Sequence, residues 1–183
     1  MLNFFFELGM LKKIKHCGTM FAGVQNPDSL AEHIARASQI AFVIASEEKA
    51  DAYKTAMMII IHDNAEIRIG DFNNINKKYL KPALAENQAF RDQIKGLPTN
   101  TGQTFYKLFH EFEEQKTLES KCARDADHLE TCLQAKEYYD LGYKTCMKWL
   151  TNTEKYLQTK TGKALFKKLK KTRFDDWFQT IEN

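Results

Sequence analysis

The stretch IIIHDNAEIRIGD, Ile59 to Asp71, sets a His-Asp pair directly after an apolar run, with Glu66 and Asp71 following. The run begins at Ala56 and reads AMMIII, with no alternation of period 2. It therefore predicts a helix buried on most sides rather than a strand. That helix is expected to start near Lys49, take in AYKTAMMIII, and end at Gly70, a residue type suited to closing a helix. On it, Glu66 comes four residues after His62 and three after Asp63, so all three would project from nearly one face. Packing gives no reason to put an imidazole beside a carboxylate there. Either the helix is losing its buried face, or ligands are held at the edge of a core.

Outward from this segment, the chain reads as helices separated by turn-rich breaks. Phe5, Leu8 and Leu11 fall at helical spacing over about residues 2–13. A loop follows, with two glycines, Asn26-Pro27 and Asp28. Ser29 and Glu32 in SLAE form the pattern of a capping box, opening a helix that carries His33. Further helices are expected near 83–95, 102–114 and 117–140, the last ending at Leu141-Gly142, with one or two more in 143–182. No internal repeat or series of strands interrupts them, so the fold class is all-α, a compact multi-helix bundle. The 183 residues form a single domain, with residues 143–183 as a C-terminal helical extension packing on it.

Composition narrows the class of protein. Hydrophobic residues make up 43% of the chain and glycine and proline only eleven positions, which fits a globular domain. Residues 141–183 carry ten Lys/Arg against four Asp/Glu, while residues 1–140 carry seventeen against twenty. Lysines on a helix exterior account for this asymmetry, and no nucleic-acid module accompanies it. The tail GKALFKKLKKTRFDDWF reads as an amphipathic helix docking its aromatics on the bundle or on a partner. Cys17, Cys122, Cys132 and Cys146 form no metal-finger spacing and read as reduced thiols of a cytoplasmic protein. MLNFFFELGML lacks a basic leader region and a small-residue cleavage site, so it reads as a docked amphipathic helix. No window reaches the roughly 18 uncharged apolar residues of a membrane span.

Four residues stand out by type and position: His33, His62, Asp63 and Asp127, on three different expected helices. Imidazole and carboxylate together suit a divalent ion, because neutral nitrogen donors bind it while two carboxylates offset its charge. Such a set leaves coordination positions for water and substrate. Taken singly, each residue has a plainer reading: His33 as a hydrogen-bonded core histidine, Asp127 in RDADHLE as part of a charged helix face.

Order and surroundings go further. AEH around His33, HDNAE…GD from His62 to Asp71, and RDADHLE around Asp127 resemble the HD-domain metal-dependent phosphohydrolase superfamily. More narrowly, they look like its branch of 5′-deoxynucleotidases acting on nucleoside monophosphates. ELGMLKKIK at 7–15, GVQNPDSLAEHIARA at 23–37 and the segment 108–142 extend the likeness over residues 7–142. The resemblance implies that His33, His62, Asp63 and Asp127 ligate one divalent metal ion. Mn²⁺ or Co²⁺ are the ions expected, with Mg²⁺, Fe²⁺, Ni²⁺ or Zn²⁺ also compatible. It implies Glu66 and Asp71 as catalytic residues, Asp71 also contacting the sugar, and a homodimer that takes a small phosphate ester, a nucleotide.

One loop departs from the branch. Where relatives commonly read R-T-G-W, this chain has HCGT, so His16 stands for Arg and Thr19 for Trp. Histidine can still donate to phosphate but lacks the guanidinium fork, and threonine supplies no aromatic wall. His16, Thr19 and Arg36, one turn after His33, are the expected substrate contacts, Arg36 reading equally well as a structural ion pair. The departure motivates a second reading, a hydrolase of another small phosphate ester or nucleotide. A third reading is a metal-binding regulatory module with little turnover.

Overall fold

A computed structural model describes residues 1–181. Helices dominate: α1 Leu2–Leu8, α2 Cys17–Met20, α3 Leu30–Glu47, α4 Ala52–Ile61, α5 Glu66–Ile69, α6 Asn76–Tyr79, α7 Pro82–Ile94, α8 Thr99–Glu114, α9 Leu118–Asp140, α10 Met147–Asn152, α11 Lys160–Leu169 and α12 Asp176–Gln179. Among the described residues the only β pairing is a single antiparallel bridge, Lys15 to Ser29. The all-α expectation is met.

Three helices, α3, α4 and α9, form the centre. Ala37, Ala41 and Ala45 recur every four residues along α3 and are fully buried, as are Ala123 and Ala126 of α9. Small side chains let these backbones approach closely, and Ile44, Met58, Ile59, Leu129 and Phe112 fill the space between them. Each fully buried isoleucine or leucine contributes about 1.5–3 kcal/mol by leaving water. Ile60, by contrast, is 44% exposed, so the apolar run is buried on one broad face and not all round.

Local chemistry sets the ends of these helices. Ser29 and Glu32 form the expected capping box at α3 in both directions. Asp51 and Thr117 cap α4 and α9 with their side chains. Asp125, fully buried on α9, accepts from the Gln158 and Thr159 amides at 2.8 Å each and from the Thr159 hydroxyl at 2.7 Å. Thr159 in turn caps α11, whose Phe166 and Leu169 join the central core. The segment after Gly142 is more broken than one or two helices, because its short apolar stretches dock separately on α9.

The helix expected from Lys49 to Gly70 is corrected. α4 stops at Ile61, and hydrogen bonds then run three residues back: Asn64 to Ile61, Glu66 to Asp63, Ile67 to Asn64 and Arg68 to Ala65. The Ile59 carbonyl, which a continuing helix would offer to the Asp63 amide, accepts instead the proton on His62 Nδ1 at 2.7 Å. Tightening to about three residues per turn carries Glu66 off the shared face drawn for it. α5 then ends at Gly70, whose φ of +83° and ψ of 164° suit glycine, and Asp71 leaves in a new direction.

Candidate metal centre

The break after α4 places His62 and Asp63 opposite α3 and α9. His33 Nε2 lies 3.5 Å from Asp127 Oδ1 and 3.8 Å from Asp63 Oδ2. His62 Nε2 lies 3.1 Å from Asp63 Oδ1 and 3.9 Å from Asp127 Oδ1. All four residues singled out by type and order are thus brought together. Donors bound about 2.1 Å from a common ion sit roughly 3.0–3.4 Å apart when adjacent and about 4.2 Å apart when opposite. These four separations fall within that range, with His33, His62 and Asp127 forming one compact triad and Asp63 meeting it at His33 and His62.

The tautomers fit the same purpose. A carbonyl oxygen can only accept, so His62 Nδ1 carries the proton given to Ile59 and Nε2 keeps its lone pair. His33 Nδ1 donates to the Glu130 carboxylate at 2.5 Å, which turns Nε2 toward Asp127 and Asp63. Burial opposes charge on His33, but hydrogen bonds to Asp127 and Glu130 overcome it and raise its pKa well above the ordinary value. Burial acts the other way on Asp127, yet the His33 hydrogen bond and the neighbouring histidines hold its carboxyl well below the usual range. A divalent cation would take over the role of those imidazole protons.

Glu66 has a different environment. Its Oε2 is buried without a hydrogen-bond partner. Burial, then the charges of Asp63 and Asp71, push its pKa up to about 11, only partly relieved by Lys77. Glu66 is therefore a neutral acid beside two carboxylates in the metal-free protein. Asp71 Oδ2 accepts the Cys17 amide at 2.7 Å, and its carbonyl accepts the Cys17 thiol at 3.2 Å, tying the loop after Gly70 to α2. Cys17, Met20, Phe21, Asp71, Asn73 and Asn76 line a cleft of about 510 Å³.

The three expected substrate contacts part ways. Thr19 is buried and its hydroxyl donates to the His16 carbonyl at 3.3 Å. Arg36 gives its guanidinium to Glu130, Glu137 and Gln134, so it stands behind His33 rather than in the cleft. His16 faces His33 edge-on, with ring centroids 4.8 Å apart. Sequence reasoning missed Glu130, Asp28 and Tyr138, which orient this centre. Glu130 and Tyr138 sit in a charged helical sequence with no motif of their own. Asp28 reads as a turn residue before a cap.

Helical layers around an imidazole and carboxylate cluster of the kind that holds a divalent ion define the class. The HD domain family profile matches residues 8–170, and the chain belongs to that family. The 5′-deoxynucleotidase HDDC2 of Homo sapiens is 31% identical over 147 residues, covering 79% of this chain and 71% of that protein. The 5′-deoxynucleotidase HDDC2 of Dictyostelium discoideum is 32% identical over 146 residues, covering 75% and 76%. A conserved hypothetical protein from Pyrococcus furiosus superposes with a TM-score of 0.80 at 26% identity, covering 94% of this chain and all of that one. Among the described residues no helix is long and apolar enough to cross a membrane.

Proposed function

We propose that this chain is a metal-dependent 5′-nucleotidase, hydrolysing deoxynucleoside 5′-monophosphates to nucleoside and inorganic phosphate. One observation carries the reading: two imidazoles turn Nε2 toward two carboxylates, beside a buried acid with one oxygen unpartnered. The names of the similar proteins supply the substrate class. His33, His62, Asp63 and Asp127 would hold one divalent ion, to which their mixed nitrogen and oxygen donors are suited, and the family resemblance makes it Mn²⁺ or Co²⁺. When bound, such an ion polarises a phosphoryl oxygen and makes water more acidic.

The protein's own groups supply the rest. Glu130 fixes the His33 ring, and Arg36 with Glu137 fixes Glu130. Water attacks phosphorus in line with the 5′ oxygen as the ester P–O bond breaks, and Glu66 gives that oxygen its proton. The proton lost by the water leaves with the phosphate or returns to Glu66. Asp71, anchored through Oδ2, keeps Oδ1 out of that bond for a sugar hydroxyl. The cleft beside it is large enough for a nucleoside, and the half-exposed Met20 and Phe21 give its base the apolar wall that Thr19 lacks. The same reading has the protein working in the cytoplasm as a homodimer. Its support is the family resemblance and the free state of the four cysteines.

The test is phosphate release from a panel of ribo- and deoxynucleoside 5′-monophosphates with Mn²⁺, Co²⁺ or Mg²⁺. Deoxynucleotides should be cleaved by wild type and not by His62→Ala. No release from any substrate rejects the enzymatic reading, and equal release by the variant rejects the site. Release confined to other phosphate esters would favour the second reading that the HCGT loop motivates.

A further inference from the structure

We infer that His16 is a third imidazole ligand of the same ion, so that the centre takes five protein ligands rather than four. The inference rests on the reading that the centre holds a divalent cation. One donor atom each of His16, His33 and Asp63 lie within 4.8 Å of one another, and so do those of His33, His62 and Asp127. The two triads share His33. Its Nδ1 is spent on Glu130, so it has one nitrogen to offer, and a single nitrogen serves a single ion. The triads thus meet at one His33 nitrogen, and a small closing movement of the His16 and Asp63 side chains would bring the five donors onto one ion.

His16 is prepared as the other two imidazoles are. Its Nδ1 sits 2.7 Å from Asp28 Oδ2, and Asp28 Oδ1 accepts from the Tyr138 hydroxyl at 3.1 Å, while the Tyr138 oxygen accepts the Asp28 amide at 2.8 Å. Asp28 is 8% exposed and Tyr138 9%. A buried carboxylate held on both sides orients the ring and raises the basicity of Nε2, the arrangement that accompanies metal-binding histidine. The Lys15–Ser29 bridge and the Cys17–Asp71 bond fix the backbone on either side of the ring.

The consequence is chemical. A cation at this position would meet the substrate phosphate directly, whereas a neutral ligand leaves that task to the ion. A third nitrogen donor also shifts preference toward Co²⁺, Ni²⁺ or Zn²⁺ and away from Mg²⁺.

The measurement is long-range ¹H–¹⁵N NMR of the full chain labelled at histidine, before and after one equivalent of Zn²⁺. The sequence has five histidines, and His110 and His128 belong to neither triad. Three Nε2 resonances, assigned with single-site variants, should move to coordinated positions. Movement of only His33 and His62 overturns the inference and leaves the nucleotidase reading intact. No movement at all overturns both. A His16 resonance that responds to inorganic phosphate but not to metal also overturns it. By calorimetry, His16→Ala should weaken Zn²⁺ and Co²⁺ binding at least ten-fold, and an unchanged affinity contradicts the proposal.

Discussion

Glu66→Gln should abolish a pH dependence of folding that the metal-free wild type carries. Glu66 is buried with one oxygen unpartnered, and Asp63 and Asp71 stand near it. Its pKa rises from 4.5 to about 11 on folding, so the folded protein keeps a proton that the unfolded chain releases. For a group raised in this way, stability is fully present below the unfolded pKa and declines as pH climbs toward the folded one. The decline is about 1.4 kcal/mol per pH unit, or about 4 kcal/mol between pH 4.5 and 7.5 if the carboxyl stays neutral throughout. Glutamine has nearly the same shape and cannot ionise. Urea denaturation of both proteins with chelator present, at pH 5 and pH 8, checks this. The variant should gain relative to wild type by a few kcal/mol at pH 8 and little at pH 5. Saturating Mn²⁺ should shrink the gap, since a nearby cation favours the ionised carboxyl. Equal differences at both pH values would refute the claim that Glu66 is held neutral.

Other perturbations separate the centre from its supports. Glu130→Gln keeps the shape beside His33 but loses the charge shared with Arg36, and should weaken metal binding by about 10- to 100-fold in calorimetry. Asp125→Ala removes three hydrogen bonds to the segment before α11 and should cost about 2–4 kcal/mol in denaturant melts, with metal affinity unchanged. Gly70→Ala strains a positive-φ position by about 1–2 kcal/mol and should raise KM for a nucleotide more than it lowers metal affinity, because it re-aims Asp71.

Legibility in the sequence followed how local each signal is. The α3 capping box needs only Ser29 and Glu32, and it was readable. The quartet His33, His62, Asp63 and Asp127 stood out by residue type, but each had a plainer reading, and it was the likeness of their order and surroundings to HD-domain phosphohydrolases that joined the four. The break at His62 was not readable, since HDNA is compatible with a helix and the turn is decided by a ring bonding back to Ile59. Asp125 and Asp127 look alike in RDADHLE, yet their positions on α9 send one to Thr159 and the other to the imidazoles. Arg36 left two readings open, and only the arrival of Glu130, Glu137 and Gln134 from α9, a contact about a hundred residues away along the chain, shows where its charge goes. The Asp28–Tyr138 support for His16 was hidden for the same reason.

The central claim is that one ion in this cluster is required for turnover. Stepwise addition of Mn²⁺ to metal-free protein, reading bound ion and phosphate release from a deoxynucleoside 5′-monophosphate on the same samples, tests it most directly. Activity should rise in proportion to occupancy and level off at one ion per chain, while Asp63→Asn should bind weakly and stay inactive. Release that proceeds without metal, or that is unrelated to occupancy, would contradict the account.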